Sequence, residues 1–555
     1  MMHFTRNKMA ANRLLALGVL LAALMAALMI AAQPSHASTT FTVKNTNDTG
    51  VGSLRQAMFD ANVTPGADVI EFDIPGTGVK TIAPASPLPT ITGPVSINGY
   101  SQTGAHPNTR AVGSDAALKI ELSGASAPPD ADGLWITAAN STVRGLVINR
   151  WGTPGSLESA IHIESSDATG NRIAGNFIGT DASGTQNLGN AGVGVYVEDA
   201  PGNTIGGTAV AARNVISGNA YGIGIGGAAK GTTVAGNYIG TDASGTRDLG
   251  NSQYGVAGEG GSNSVIGGAT TAARNVISGN NAGGIGFAAS GVRIAGNYVG
   301  TDASGTKALG NTLYGVYIDS GSNNIIGGTS AAERNVISAN DGSGVLIANA
   351  DTNANKVLGN FIGADKNGAA ALGNSAHGIS IYDAKNSVIG GATAGSRNVI
   401  SGNEGSGVNI YGDTATGNRI LSNSIFSNAG LGIDLGEDGP TPNDPGDTDT
   451  GANGLQNKPL LSSARKSATG TTTVRGTLNS TLGKTFTVQF FSNPSGADEG
   501  KTLLGSKSVT TNGTGNVSFA FSTKKQVRLG QNITATATGT GGTSEFSAPK
   551  KVVAK

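Results

Sequence analysis

Histidine, glutamate and tyrosine alternate with valine and isoleucine in several short segments, and these polar residue types could together cut a saccharide chain. The segments have the pattern Gly-Val-x-Val or a variant of it, which as a strand would point its apolar residues inward and the others outward. The outward positions include His162, Glu164, Glu198 and Glu259. Retaining glycosidases use two carboxyl groups about 5 Å apart, and inverting glycosidases use two that are about 6.5–9.5 Å apart. Histidine can act as a general acid or base. These four residues are the candidate catalytic set.

The separation of the carboxylates depends on how the segments stack. As consecutive parallel strands, Glu164 and Glu198 would lie about 5 Å apart at the backbone, and Glu198 and Glu259 about 10 Å. Further outward positions carry candidate substrate-binding residues, because tyrosine rings can stack on sugar faces: Tyr196, Tyr317, Asp319, Tyr382 and Tyr411. All these residues are also ordinary for the outer face of a soluble sheet, so a site without catalysis is the competing interpretation.

A repeat of 60 to 63 residues carries these segments. The phrase NFIGTDASG or a close variant begins at Asn176, Asn237, Asn297 and Asn360, and RNVISGN or RNVISAN begins at Arg213, Arg274, Arg334 and Arg397. Each unit contains two copies of a shorter pattern with three apolar stretches, too short for helices, separated by turn-forming residues. The repeat therefore predicts an all-β solenoid, a parallel β-helix with two coils of roughly 30 residues per unit.

Asparagine, aspartate and arginine recur at fixed phases of the repeat. One phase contains Asn219, Asn280, Asn340 and Asn403, and another contains Asn176, Asn237, Asn297 and Asn360. Their side chains are expected either to form inward hydrogen-bonded rows or to belong to left-handed turn residues. Equivalent aspartates, too far apart to share an ion, are expected to stabilise turns: Asp181, Asp242, Asp302 and Asp365. The repeated arginines could line a groove for anionic glycans or be solvated.

An acidic segment at residues 436–457 interrupts the repeat. Asp444, Asp447 and Asp449 could hold one Ca²⁺ together with backbone carbonyls, although the spacing lacks the terminal glutamate of an EF-hand. The alternative is a solvated linker. After it, residues 458–555 contain at least five alternating segments, which predict an antiparallel β-sandwich.

Composition and the N-terminus indicate an exported protein. Residues 1–37 combine a basic start, an apolar stretch from Leu14 to Ala32 and small residues around His36, as in a signal peptide; an uncleaved membrane anchor is the alternative. The chain has no cysteine, which excludes disulfides and thiol chemistry, and a formal net charge of zero, which gives no electrostatic case for nucleic acid or an anionic membrane.

The repeats resemble the right-handed parallel β-helix proteins of the pectate-lyase-like superfamily. The segment FTVKNTNDTGVGSLRQAMFDANVTPGADVIEFDIPG resembles the N-terminal cap of large secreted bacterial members, and residues 38–105 are assigned to this cap and the first strands. Ser53 and Gln56 suggest a capping box before a short amphipathic helix. The C-terminal region resembles immunoglobulin-like modules of secreted bacterial proteins.

The resemblance implies the fold more firmly than an activity. The NTD, DD, GHG and RIK motifs of polygalacturonases are missing, as is the DPHE signature of alginate epimerases. The leading expectation is a secreted or cell-surface protein that binds polysaccharide or mediates adhesion without catalysis. A polysaccharide lyase or glycoside hydrolase is the rival, with the irregular section from Ala105 to Trp151 as a cleft wall, and a structural spacer is the third possibility.

Overall fold

The computed structural model describes residues 37–155 and 158–555. Except for Ala37, the predicted export signal lies outside this part of the chain. Among the described residues, no helix combines the length and apolar character needed to cross a membrane.

Residues 40–435 form a β-helix of three parallel sheets, designated A, B and C, as the repeat predicts. Sheet A contains Thr40–Val43, Asp68–Phe72, Val95–Asn98, Thr142–Arg144, Arg172–Ala174, Thr204–Gly206, Thr233–Ala235, Val265–Gly267, Arg293–Ala295, Ile325–Gly327, Lys356–Leu358, Val388–Gly390 and Arg419–Leu421. Sheet B contains Lys80–Ile82, Ile120–Ser123, Leu146–Asn149, Phe177–Ile178, Val215–Ile216, Tyr238–Ile239, Val276–Ile277, Tyr298–Val299, Val336–Ile337, Phe361–Ile362, Val399–Ser401 and Ser424–Phe426. Sheet C contains Leu134–Ile136, Ser159–Glu164, Val193–Glu198, Tyr221–Gly227, Val256–Gly260, Ile285–Phe287, Val316–Asp319, Val345–Ala348, Ile379–Tyr382, Val408–Tyr411 and Ile433–Leu435.

Each strand pairs with its copy one coil further along the β-helix. In sheet C, Val195 pairs with Ile161 on one side and with Ile223 on the other, so that branched apolar side chains stack in inward rows. These residues are fully buried in one continuous core. The in-register stacking also places the intervening polar residues in outward rows.

Two rows of buried asparagines run through the β-helix, and in each row one side-chain amide donates to the next at 2.7–3.2 Å. The first row contains Asn176, Asn214, Asn237, Asn275, Asn297, Asn335, Asn360, Asn398 and Asn423. The second contains Asn190, Asn219, Asn251, Asn280, Asn311, Asn340, Asn374, Asn403 and Asn428. None of the eight predicted asparagines has a positive φ, which excludes the turn interpretation.

The other repeated polar residues lie in turns and loops around the apolar core of the solenoid. Each repeated aspartate accepts backbone N–H groups four and five residues ahead, so the turn-stabilising prediction is confirmed. Three of the four repeated arginines lie over aromatic rings on sheet B: the guanidinium carbons of Arg213, Arg274 and Arg334 are 4.1–4.5 Å from the ring centres. For these three, stacking on the rings replaces both the groove and the simple solvation expected from the sequence.

A helix, Leu54–Val63, packs against the first two strands of sheet A. Its apolar face, Leu54, Ala57, Met58 and Ala61, is buried. Only half of the predicted capping box forms, because Ser53 Oγ accepts from Gln56 N whereas the Gln56 side chain donates to Asp60. Short 3₁₀ helices occur at Gly99–Ser101, Gly124–Ser126, Val210–Ala212, Thr271–Ala273, Ala331–Glu333, Ala394–Ser396 and Ala452–Leu455.

The C-terminal domain is a seven-stranded mixed sheet with its own apolar core. Its strands are Leu460–Lys466, Thr472–Asn479, Thr485–Asn493, Thr502–Thr510, Asn516–Thr523, Asn532–Thr538 and Lys550–Ala554. The pairing is not purely antiparallel as predicted, because the last strand runs parallel to the first. The two edge strands also contact each other, which leaves the sheet nearly closed.

Candidate functional site

The outer face of sheet C, called the C face below, gathers seven of the ten tyrosines of the chain. The tyrosines on it or at its margin are Tyr196, Tyr221, Tyr254, Tyr314, Tyr317, Tyr382 and Tyr411. Trp135 belongs to the same face and is 41% exposed. Such rings offer flat apolar surfaces with a polar atom at the edge, which suits a ligand with both apolar and hydroxyl faces.

His162 lies between two aromatic rings at one end of this face. Its ring centre is 6.1 Å from that of Trp135 and 5.2 Å from that of Tyr196, with nearly parallel planes. The stack follows from the strand register, because His162 pairs with Trp135 on one neighbouring strand and with Tyr196 on the other. Only 14% of the His162 side chain is exposed.

Two carboxylates hold His162 in this stack. Nδ1 lies 3.1 Å from Asp132 Oδ2, and Nε2 lies 3.3 Å from Glu198 Oε2, a distance that permits an ion pair without good hydrogen-bond geometry. Burial lowers the pKa of His162, but the hydrogen bond and charge of Asp132, with the charges of Glu164 and Glu198, raise it above its usual value overall. Both ring nitrogens therefore face carboxylates, and Asp132 supplies the hydrogen bond.

The three candidate glutamates form an outward line beside the stack. Glu198 pairs directly with Glu164 in the neighbouring coil, while Gly226 separates it from Glu259. Glu164 is half-buried and Glu259 is exposed. Glu164 and Glu198 therefore have the adjacent backbone placement that the sequence analysis required of a carboxylate pair.

A glycine coil makes room for the Tyr196 ring. A Cβ atom added at Gly224 would be 2.8 Å from Tyr196 Cδ2, and one at Gly226 would be 2.5 Å from the Tyr196 hydroxyl oxygen. Burial, together with the nearby Glu198 carboxylate that it hydrogen-bonds, raises the pKa of Tyr196 to about 12. The phenol therefore stays neutral.

A second aromatic cluster lies in the middle of the C face, around a shallow cavity of about 150 Å³. Tyr254 covers Gly283 and Gly286, where an added Cβ would lie within 3 Å of its ring. Tyr317 lies next to Tyr314, with ring centres 5.6 Å apart. Burial and the Asp319 carboxylate raise the pKa of Tyr317 to about 12. Two of the predicted binding residues, Tyr317 and Asp319, thus line one groove.

The remaining predicted binding residues, Tyr382 and Tyr411, form a third cluster. Their rings stack with centres 4.8 Å apart. The strand Val345–Ala348 lies between this cluster and the strand of Tyr317 and Asp319. It places Leu346 and Ala348 in the same outward rows. The structure therefore gathers the predicted residues on one long face and not in one pocket.

Trp135 and Asp132 are not among the residues predicted from the sequence, because both lie before the first clear repeat. Trp135 could have been found from the outward position in the segment Leu-Trp-Ile, which alternates like later strands. Asp132 belongs to the loop before that strand and carries no pattern. The irregular section from Ala105 to Trp151 thus contributes to the site, but only through residues near Trp135.

The first part of that section lies elsewhere. Arg213 donates hydrogen bonds to the carbonyls of Arg110, Ala111 and Gly113, and the Tyr238 hydroxyl accepts from Gly113 N at 2.8 Å. These contacts hold residues 110–113 against sheet B. This loop therefore forms no wall of the C face.

The acidic residues proposed as metal ligands do converge. Ligand atoms of Asp444, Asp447 and Asp449 lie within 4.8 Å of one another. Asp444 and Asp447 already accept hydrogen bonds, including those from Thr448 and Asn457, whereas one oxygen of Asp449 is buried without a partner. Burial raises the pKa of both Asp447 and Asp449. Carboxylate oxygens are ligands that Ca²⁺ prefers, so the donor type fits this ion.

Comparison with known proteins gives only distant likenesses. No protein-family model and no curated protein matches this sequence. A tailspike protein, gp49 from Acinetobacter baumannii bacteriophage Fri1, a capsular polysaccharide depolymerase, aligns over 92% of this chain and 82% of its own at 10% identity and a TM-score of 0.21. A mutant tailspike protein of E. coli bacteriophage HK620, solved with a pentasaccharide, aligns over 87% and 88% at 12% identity and a TM-score of 0.24. Likenesses this distant assign neither a family nor an activity to this chain.

Proposed function

We propose that this chain is an exported polysaccharide-binding protein whose C face contacts a glycan along its length without cutting it. The observation that carries the proposal is the concentration of outward tyrosines, together with Trp135, on one face of the β-helix. The strands that carry Trp135 and Tyr411 are nine steps apart in sheet C, which corresponds to about 43 Å. A surface of this length suits a polymer better than a single sugar.

The state of the candidate catalytic residues supports binding over cleavage. His162 is enclosed between two rings and two carboxylates, and Glu198 is in turn engaged by His162 and by the Tyr196 hydroxyl. A general acid must reach the leaving oxygen of its substrate. In this arrangement His162 cannot do so, and the stack serves to fix the Tyr196 ring.

A polysaccharide hydrolase is the second candidate, favoured by one observation. Glu164 and Glu198 lie on adjacent strands, a backbone placement compatible with the short carboxyl separation of retaining enzymes. In that case Glu198→Gln would abolish the release of new reducing ends while leaving glycan binding intact. A lyase would instead produce unsaturated uronate absorbance.

The deciding experiment is a screen of immobilised polysaccharides against residues 38–555, with binding and product release measured on the same samples. We expect binding of at least one polysaccharide without product, and a loss of roughly tenfold or more in affinity in Tyr196→Ala. Phe59→Ala is the matched control, because Phe59 is an exposed aromatic residue on the helix Leu54–Val63, away from sheet C.

Other results of the screen would select the alternatives. Product release that Glu198→Gln abolishes would replace the binding function by hydrolysis. No binding to any polysaccharide would leave the structural spacer as the better account.

Export and attachment complete the proposal. The basic start and the apolar stretch from Leu14 to Ala32 support secretion to the cell surface or matrix. In this proposal the C-terminal domain serves as an immunoglobulin-like attachment module. Detection of the chain in the culture medium or on intact cells, with a new N-terminus near residue 38, would test export directly.

A further inference from the structure

A cavity of about 730 Å³ lies where the last β-helix strand, Ile433–Leu435, meets the C-terminal domain. Residues 428–434 of the β-helix form one wall and residues 545–549 of the C-terminal domain form another. The Phe546 ring packs on Gly432, where an added Cβ would be 2.8 Å from the ring. The C-terminal domain therefore occupies the space where a further coil of the β-helix would lie.

Asp434 is the carboxylate in this cavity that lacks a full set of partners. It is 8% exposed, its Oδ2 accepts from Ser406 Oγ at 3.2 Å, the backbone N–H of Gly439 also interacts with the carboxylate, and its buried Oδ1 has no hydrogen-bond partner of normal geometry among the described residues. The other buried carboxylate, Glu545, pairs with Lys458 at 2.6 Å and accepts from Thr441. Leaving a buried acceptor unsatisfied is costly, which favours a ligand that donates hydrogen bonds to Asp434.

The cavity continues the C face. Asp434 pairs with Asn409, which pairs with Ser380, and this outward row leads back through Leu346 to Tyr317. Tyr382 and Tyr411 stack in the adjoining row. A ligand that follows the tyrosines along sheet C would therefore reach Asp434 last, at the wall formed by the C-terminal domain.

We propose that this cavity binds the terminal sugar of a glycan lying on the C face, with Asp434 accepting a hydrogen bond from a sugar hydroxyl. The inference rests on the proposed polysaccharide-binding function and adds recognition of a chain end. A bare cation fits the space less well, because Ca²⁺ requires six to eight oxygens at 2.3–2.6 Å and the cavity is far larger than such a cage. Since Asp434 Oδ1 is shielded from solvent, contact requires a change of side-chain rotamer that turns the carboxylate toward the cavity.

The test measures binding of single sugars to residues 38–555 by saturation-transfer NMR, with glucose, galactose, N-acetylglucosamine and rhamnose as probes. We expect at least one sugar to bind and Asp434→Asn to weaken that binding roughly tenfold or more, because a hydrogen bond to a charged acceptor is lost. Asp438→Asn is the matched control, since Asp438 is exposed and does not line the cavity. Thermal unfolding of each variant checks that the C-terminal domain remains folded.

A second measurement uses size fractions of a polysaccharide that binds in the screen. If the cavity recognises chain ends, binding at equal mass increases as the fragments become shorter, because shorter fragments supply more ends.

Polymer binding that depends on Tyr196 but is unchanged in Asp434→Asn, and that does not increase with the number of ends, would overturn this inference and leave the proposed function standing. Failure of all four sugars and of every polysaccharide to bind would overturn both.

Discussion

The side-chain amide of Asn428 donates to Glu499 Oε1 at 2.9 Å, so the second asparagine row of the β-helix ends on a carboxylate of the C-terminal domain. Each earlier asparagine in the row donates to the next, and Glu499 takes the place of a further asparagine. Buried N–H groups require acceptors. The C-terminal domain thus supplies the hydrogen-bond acceptor for the last asparagine of the row.

The charge of Glu499 is expected to make this junction pH-dependent. Burial raises the pKa of Glu499 in the folded protein. The stability contributed by its protonated form is therefore complete below the unfolded-state pKa of about 4.3 and is lost as pH rises through the folded-state pKa. Glu499→Gln keeps an acceptor oxygen and removes the charge. Calorimetry should show a higher Tm for this variant at pH 7 and little difference near pH 4.

Glu499→Ala provides the comparison. It removes the acceptor as well as the charge and should lower the Tm at both pH values. A lower Tm of Glu499→Gln at pH 7 would contradict the expected effect of burial.

Interrupting the first asparagine row should strongly destabilise the β-helix. The Asn297 side chain accepts from Asn275 and donates to Ile266 O and Asn335 Oδ1. Asn297→Ala leaves these buried groups without hydrogen-bond partners, at a cost of about 1–3 kcal/mol for each unsatisfied group. Urea unfolding followed by circular dichroism should show the loss. Asn47→Ala, at an exposed position, should leave the midpoint unchanged, and equal midpoints for the two variants would be evidence against the row as a source of stability.

The pKa of His162 is expected to depend on Asp132. In the folded protein it should titrate above the ordinary value of about 6.5, and Asp132→Asn should lower its midpoint. Because the folded pKa is raised, the stability from this pair is complete below about pH 6.5 and is lost as pH rises through the folded value. NMR of the histidine ring protons, assigned with His162→Gln, measures the midpoint. The same midpoint in wild type and Asp132→Asn would rule out the contact as its cause.

Gly226 should control ligand binding through the Tyr196 ring. Gly226→Ala places a methyl group about where the Tyr196 hydroxyl lies, and the flexible ring can turn away without disturbing the backbone. We expect several-fold weaker polysaccharide binding with a nearly unchanged Tm. Gly513→Ala, where an added Cβ meets nothing within 4 Å, is the control. Unaltered binding by Gly226→Ala would show that the placement of Tyr196 over the glycine strand is not required.

The calcium hypothesis for Asp444, Asp447 and Asp449 has a direct thermodynamic test. Burial disfavours the charged forms of Asp447 and Asp449, and a bound cation would reverse this effect. The hypothesis predicts a higher Tm in CaCl₂ than in EDTA, lost in Asp449→Asn and not reproduced by equal MgCl₂. The same Tm in CaCl₂ and EDTA would identify the segment as a linker without an ion.

The repeat determined the β-helix from the sequence alone. Apolar residues recur at fixed positions in short segments such as Val193–Glu198, and only stacking of equivalent strands buries all of them. The same periodicity identified the outward residues Tyr196, Tyr317 and Tyr382. The asparagine rows were recognisable too, but choosing inward hydrogen bonds over turns required the backbone angles.

Tertiary structure decided which side chains meet across coils and domains. Asp132 contacts His162 from an irregular loop, and Glu499 reaches Asn428 from a separate domain, so neither contact follows from a periodic pattern. The parallel pairing of Lys550–Ala554 with Leu460–Lys466 likewise depends on the path of the whole domain. Periodicity specifies which face of a strand is buried, whereas non-repeating contacts depend on three-dimensional packing that local sequence does not encode.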